Sequence, residues 1–242
     1  MHARWSPRRH SAQWRHSPMK NEQDREYIYS HYHPDWGRDW KRTLRNGFPV
    51  IDSSDIVPKR VVPFDKISKC GLGDACVVFH LADRRIDRVW LHPERYVKRL
   101  KEALCVATPD FSVLPGMERA DVIHNISRSL RLGRYLQDQG IAVIITAIWS
   151  RPDTYDICFE ALPANAVLLV STVGSMRTVS SRRIFRDGLK TLCERKSPKG
   201  FILYGRMPSL DFDIPVIGHF ERCSPIAVGA HQPEFDIMNG GR

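Results

Sequence analysis

The chain has 242 residues, 42% hydrophobic and 26% charged, enough for one large α/β domain or two small ones around a sizeable core. Lys and Arg outnumber Asp and Glu by 37 to 27, a net charge of +10 that implies an anionic partner, nucleic acid or another polyanion first. The longest apolar run, Ile141–Trp149, has strand length rather than the ~18 residues of a membrane span, and no apolar secretory stretch opens the chain, so a cytoplasmic protein without membrane contact is expected.

Residues 1–20 carry Arg4, Arg8, Arg9, Arg15 and Lys20 with no acidic residue, and Trp5 and Trp14 are interleaved. Such a segment cannot bury enough apolar area to order itself. A phosphate-touching basic arm, a transit peptide and a start at Met19 all stay open. Residues 21–65 are aromatic and polar, punctuated by Asn46-Gly47, Pro58 and Pro63, and read as an irregular or helical lead-in.

A regular alternation, one α/β domain over 66–224, follows. Val77-Val78-Phe79-His80-Leu81 reads as a strand. His92-Pro93-Glu94 opens a helix with proline in its first turn, and Tyr96, Val97, Leu100 and Leu104 form its apolar stripe. Cys105-Val106-Ala107 is the next strand, running out at Thr108-Pro109-Asp110-Phe111-Ser112. A long amphipathic helix presents Val122, Ile126, Leu130 and Leu136 inward and closes at Gly140. Ile141–Trp149 is a strand, Thr154–Leu162 a weaker helix, and Ala166–Val170 a wholly apolar strand. Arg182–Arg195 is the last clear helix, Phe201–Tyr204 a strand, Pro215–Phe220 a final one, and 225–242 a loose tail.

Apolar strands separated by amphipathic helices imply a mostly parallel sheet covered on both faces. The pattern fits a barrel-like arrangement, closed or incomplete, or an open doubly wound sheet. No GxGxxG turn follows an early strand, which favours the barrel.

Six cysteines show no paired CxxC spacing. Cys70 and Cys76 have five residues between them, which suits no common structural metal site.

In either architecture ligands bind at the carboxyl ends of the strands. That rule gathers His80, Asp110, Ser112, Trp149, Ser171, Thr172, Tyr204 and Arg206 onto one rim. Asp110 is the catalytic candidate, a carboxylate placed to act as base, nucleophile or metal ligand. Asp153 and Asp156, or Asp211 and Asp213, are candidate second carboxylates for acid–base pairing or a divalent metal, against a plain loop or capping role. Ser171-Thr172-Val173-Gly174-Ser175 leads out of a strand toward a basic helix, where backbone N–H groups can cradle a phosphate, although GxxxxGK[ST] is absent. Arg182, Arg186 and Lys190 recur at i, i+4 and i+8 as a phosphate-binding stripe, and Arg128, Arg131 and Arg134 make a second. His80 and His92 lack partners at ligand spacing, His124 falls on a helix, and each reads as a packed or capping residue. No GxSxG elbow exists, so no Ser-His-Asp triad is assembled.

Leu91-His92-Pro93-Glu94-Arg95-Tyr96, Thr108-Pro109-Asp110-Phe111-Ser112, Gly140-Ile141 through Trp149, Val170-Ser171-Thr172-Val173-Gly174 and Leu203-Tyr204-Gly205 occur in the order of one family. Over residues 60–220 the chain resembles the domain of unknown function number 4417, found in bacteria and their phages or mobile elements. The resemblance implies no activity. Two functional classes therefore stand: an enzyme on nucleic acid or a phosphorylated substrate, and a non-enzymatic nucleic-acid-binding accessory protein. Cofactor and oligomeric state stay open.

Overall fold

The computed structural model describes residues 22–52 and 54–221. The basic arm at 1–20, the Met19 start, Cys223 and the tail at 225–242 lie outside the described residues. The chain divides into two compact units, one ending at Trp36 and the other beginning at Gly37. In the first, helix α1 (Glu22–Tyr32) carries Glu22 and Asp24 in its first turn, complementing the helix dipole.

The second unit holds seven strands: β1 (Arg60–Pro63), β2 (Ala75–Val78), β3 (Cys105–Ala107), β4 (Val143–Thr146), β5 (Val167–Ser171), β6 (Gly200–Tyr204) and β7 (Val216–Phe220). Every neighbouring pair is parallel, and the spatial order is the chain order, β1 to β7. A doubly wound sheet reverses its strand order at a switch point, whereas sequential order is the winding of a β/α barrel. Cys76 and Val78, Cys105 and Ala107, Ile144, Val167 and Leu169, Ile202 and Tyr204, and Phe220 form a single core cluster. Residues of β2 and β7 meet there only because the sheet curls. The result is a nearly closed barrel whose edges are β1 and β7. Alternate residues such as Val77, Val106, Leu168 and Leu203 are buried on the outer side, which is why these strands read as apolar throughout.

The connecting helices are α2 (Asp83–Leu91), α3 (Glu94–Leu100), α4 (Arg119–Asp138), the short α5 (Tyr155–Cys158) and α6 (Val179–Lys196). Three elements differ from expectation. β1 lies within the segment read as a lead-in, and its pairing with β2 from Arg60↔Ala75 to Pro63↔Val78 makes it part of the sheet. α2 was not expected at all, although Ile86, Val89 and Trp90 bury its inner face. α6 starts three residues earlier than predicted, because Thr178 and Ser181 form a reciprocal capping box. α4 ends as expected, with Gly140 at φ +79°.

Candidate functional site

The inward parity of β2 runs Cys76, Val78, His80, so the strand delivers His80 to the carboxyl-end mouth of the barrel. β3 stops where Pro109 supplies no N–H for the ladder. Its exit is locked to β4: Thr108 Oγ1 accepts from Thr146 N at 2.9 Å, and Thr146 Oγ1 donates to the Thr108 carbonyl at 2.6 Å. Asp110 follows, and its Oδ2 lies 2.5 Å from His80 Nδ1. The His80 side chain is 4% exposed and that of Asp110 25%. Tyr204, on the inner face of β6, stacks on the imidazole with ring centroids 5.3 Å apart.

A carboxylate at Nδ1 fixes the proton there and turns Nε2 into a bare acceptor. His80 Nε2 is buried and has no hydrogen-bond partner, and the same holds for Asp110 Oδ1. Burial pushes the Asp110 carboxyl above its ordinary value, while its contact with His80 pulls it back.

The loop that carries Asp110 is held from several sides. Ser112 donates through N, and through Oγ at 2.9 Å, to the Asp83 carboxylate at the start of α2. Asn125 Nδ2 donates to the Ser112 carbonyl at 2.8 Å. Arg128 lies 3.8 Å over the Phe111 ring while pairing with Asp87. Such second contacts give a site its fixed geometry.

His80 and Asp110 open into a cleft of about 780 Å³, within the range of small-molecule sites. It spans the ends of β2, β3, β4 and β5 and the first turns of α6, and takes in Ser112, Trp149 and Ser171. Arg84, Arg85 and Arg177 stand on its rim. Arg85 pairs with Asp65 at 3.0 Å, whereas Arg84 and Arg177 are exposed and have no partner among the described residues. Trp149 is set by packing: Nε1 donates to the Ile184 carbonyl, and a Cβ at Gly188 of α6 would overlap the indole.

A family model described as a domain of unknown function, DUF4417, matches residues 41–221. The chain belongs to this family. It is 40% identical over 133 residues to the Gene 1 protein of Mycobacterium phage D29, covering 55% of this chain and 49% of that protein. With the Gene 1 protein of Mycobacterium phage L5 it shares 36% identity over 143 residues, 59% of this chain and 62% of that protein. The chain therefore spans about half to three-fifths of these curated phage relatives. No solved structure matches it.

Other expected residues of this DUF4417 chain sit elsewhere. Thr172 is buried, donates through Oγ1 to the Arg206 carbonyl at 2.8 Å and is not in the cleft lining; it is tied into the β5–β6 join. Tyr204 belongs to the core and meets the site by stacking on His80. Arg206, Arg182, Arg186 and Lys190 are exposed and outside the lining, and α6 shows the cleft Ser181, Ile184 and Phe185 instead. Arg186 pairs with Asp187 at 2.9 Å. The second stripe is engaged internally: Arg128 as above, Arg131 over Trp90 at 5.4 Å, and Arg134 with Asp52 and Asp138. Asp156 is bound by Arg119 and Arg45, and the Arg119 hydrogen bond holds its carboxyl below the ordinary value. Asp153, Asp211, Asp213, His92 and His124 do not line the cleft. Among the described residues no three His, Cys, Asp or Glu side chains gather to hold a metal ion, and no helix is long and apolar enough to cross a membrane.

Sequence reasoning missed the pairing of His80 with Asp110, as well as Asp83 and Arg84, and it read Arg177 only as the first of a basic run over 177–199. His80 and Asp110 are 30 positions apart, and only adjacent parallel strands make them neighbours. Asp83 carried a readable signal, an acidic residue opening an amphipathic turn.

Proposed function

We propose that this chain is an enzyme acting on a phosphate-bearing substrate, nucleic acid or a phosphorylated small molecule, at the mouth of its barrel. His80 serves as general base through Nε2, and Asp110 orients and supports the imidazole. The observation that carries this reading is the His80–Asp110 contact at 2.5 Å with a buried, unpartnered Nε2 beside the cleft. A base needs a free lone pair held in a fixed direction, and a carboxylate on the far ring nitrogen provides both. Arg84, Arg85 and Arg177 make the rim favourable to an anion. Asp110, expected from sequence as the reacting group itself, here acts through the imidazole.

The test is turnover of bis(4-nitrophenyl) phosphate, 4-nitrophenyl phosphate and an end-labelled single-stranded DNA by wild type and His80→Gln. The expected result is turnover of at least one by wild type and a loss of about 10²–10⁴-fold in the variant. Wild-type rates in His80→Gln, or no turnover of any of the three by wild type, overturn the reading.

A second reading, a nucleic-acid-binding accessory protein without catalysis, draws on the exposed Arg182, Arg186 and Lys190 on one side of α6.

A further inference from the structure

At the β5 side of the cleft the chain passes Ser171, turns at Gly174 with φ +85° and enters α6 through Ser175, Arg177 and Thr178. α6 has 18 residues and no acidic residue in its first turn, although a helix start carries about half a positive charge. Thr178 Oγ1 accepts from the N–H of Ser181 only, which leaves the N–H groups of Val179 and Ser180 without an intrahelical acceptor. Arg177 precedes this turn with no partner among the described residues, and Arg182 and Arg183 follow within it. Positive charge accumulates here, and among the described residues only Arg183 of these three arginines has a carboxylate beside it, Asp187 at 3.5 Å.

An independent observation points into the same cavity. His80 is 4% exposed at its side chain, lines the cleft, and keeps Nε2 unpartnered. Buried polar atoms are almost always satisfied, so Nε2 is an acceptor that a ligand in the cleft can satisfy. The wall between His80 and α6 is apolar: Ile148, Trp149 and Ile184 are half-buried, and Leu114 at the mouth is 59% exposed. A cavity of about 780 Å³ admits a small molecule or an unstacked base but not a paired duplex.

We infer that the β5–α6 corner, with Arg177 and the first N–H groups of α6, is a phosphate subsite, and that the adjoining apolar wall receives a flat ring, so the ligand is a nucleotide. The nucleotide is either free or part of a single strand. This assignment deepens the reading of the cleft as a catalytic site and rests on it.

Calorimetric titration of the full chain tests it with inorganic phosphate, deoxyadenosine, deoxyadenosine 5′-monophosphate and a 5′-phosphorylated single-stranded oligonucleotide. The monophosphate binds more than tenfold tighter than either phosphate or deoxyadenosine. Arg177→Gln, an exposed position whose fold is checked by melting, weakens phosphate and monophosphate about tenfold, as expected for a charge-assisted hydrogen bond, and leaves deoxyadenosine unchanged. If the strand is the source, the oligonucleotide binds tighter still and Arg186→Glu weakens it alone. If the free nucleotide is the source, Arg186→Glu changes neither. Absence of saturable monophosphate binding, or equal affinity in Arg177→Gln, overturns the subsite. His80→Gln separates the two readings: lost turnover with no phosphate binding removes the subsite alone, and Arg177-dependent binding with undiminished turnover removes the catalytic role alone.

Discussion

Asp110 is ionised at a cost in a folded protein that buries it, and the sign of that cost sets two expectations. Burial raises its folded-state pKa above 3.8, so between that value and the folded one the native state holds more protons than the unfolded chain. Stability from this group is therefore greatest at low pH and is lost as pH rises through the raised value. Asp110→Asn keeps a hydrogen-bonding partner for His80 and removes the charge. Its melting temperature at pH 7 is expected to exceed that of wild type, with a flatter dependence of stability on pH above about 4. Its turnover of the phosphate esters is expected to fall. Thr172 behaves in the opposite way. Thr172→Val removes the bond to the Arg206 carbonyl, costs about 1 kcal/mol in chemical denaturation, and leaves phosphate affinity unchanged. Asp110 was legible because proline and aspartate close an apolar strand. His80 was not, because its meaning depends on a partner on the next strand.

At the scale of elements, the strongly apolar strands and the long helix α4 could be read directly, since their burial is complete on one or both faces. The misses share a cause. β1 is four residues long, ends on Pro63 and acquires its identity only by pairing with β2. α2 is short, and its five charged residues masked the Ile86, Val89 and Trp90 spacing. The expected strand through Trp149 stops at Thr146 because Trp149 turns to pack on α6. Gly188→Ala tests that packing. Its new Cβ collides with the indole, so a destabilisation of about 1–3 kcal/mol is expected together with a blue or red shift of tryptophan emission. Register also places Cys76 opposite Cys105 on β2 and β3, both fully buried. The hydrogen bond to Cys105, reinforced by burial, pushes the Cys76 thiol well above its ordinary value. In mass-spectrometric mapping of labelling by a water-soluble thiol reagent, Cys70 is expected to react in the native protein and Cys76 only after unfolding.

For the whole molecule, the charge of +10 is a statement about association rather than fold. Of the two basic stripes readable in the sequence, only the one on α6 stays exposed, and Asp187 takes up part of it. Affinity for single-stranded DNA is therefore expected to fall steeply between 50 and 200 mM salt, with a shallower slope in Arg186→Glu. Salt-independent binding would show that the surface charge takes no part. The barrel itself explains why charge and site could be anticipated unequally. Surface charge is a property of single residues, whereas the cleft exists only after four strand ends converge.

The central claim is that Asp110 holds His80 with Nδ1 protonated and Nε2 bare toward a phosphate-bearing ligand. The most direct measurement is long-range nitrogen-15 NMR of the His80 ring, assigned by difference with His80→Gln, in wild type and Asp110→Asn. The account predicts the Nδ1–H form in wild type, an Nε2 resonance that moves on saturation with deoxyadenosine 5′-monophosphate, and loss of that preference in Asp110→Asn. A proton on Nε2 in wild type, or a ring that ignores a bound monophosphate, would contradict it.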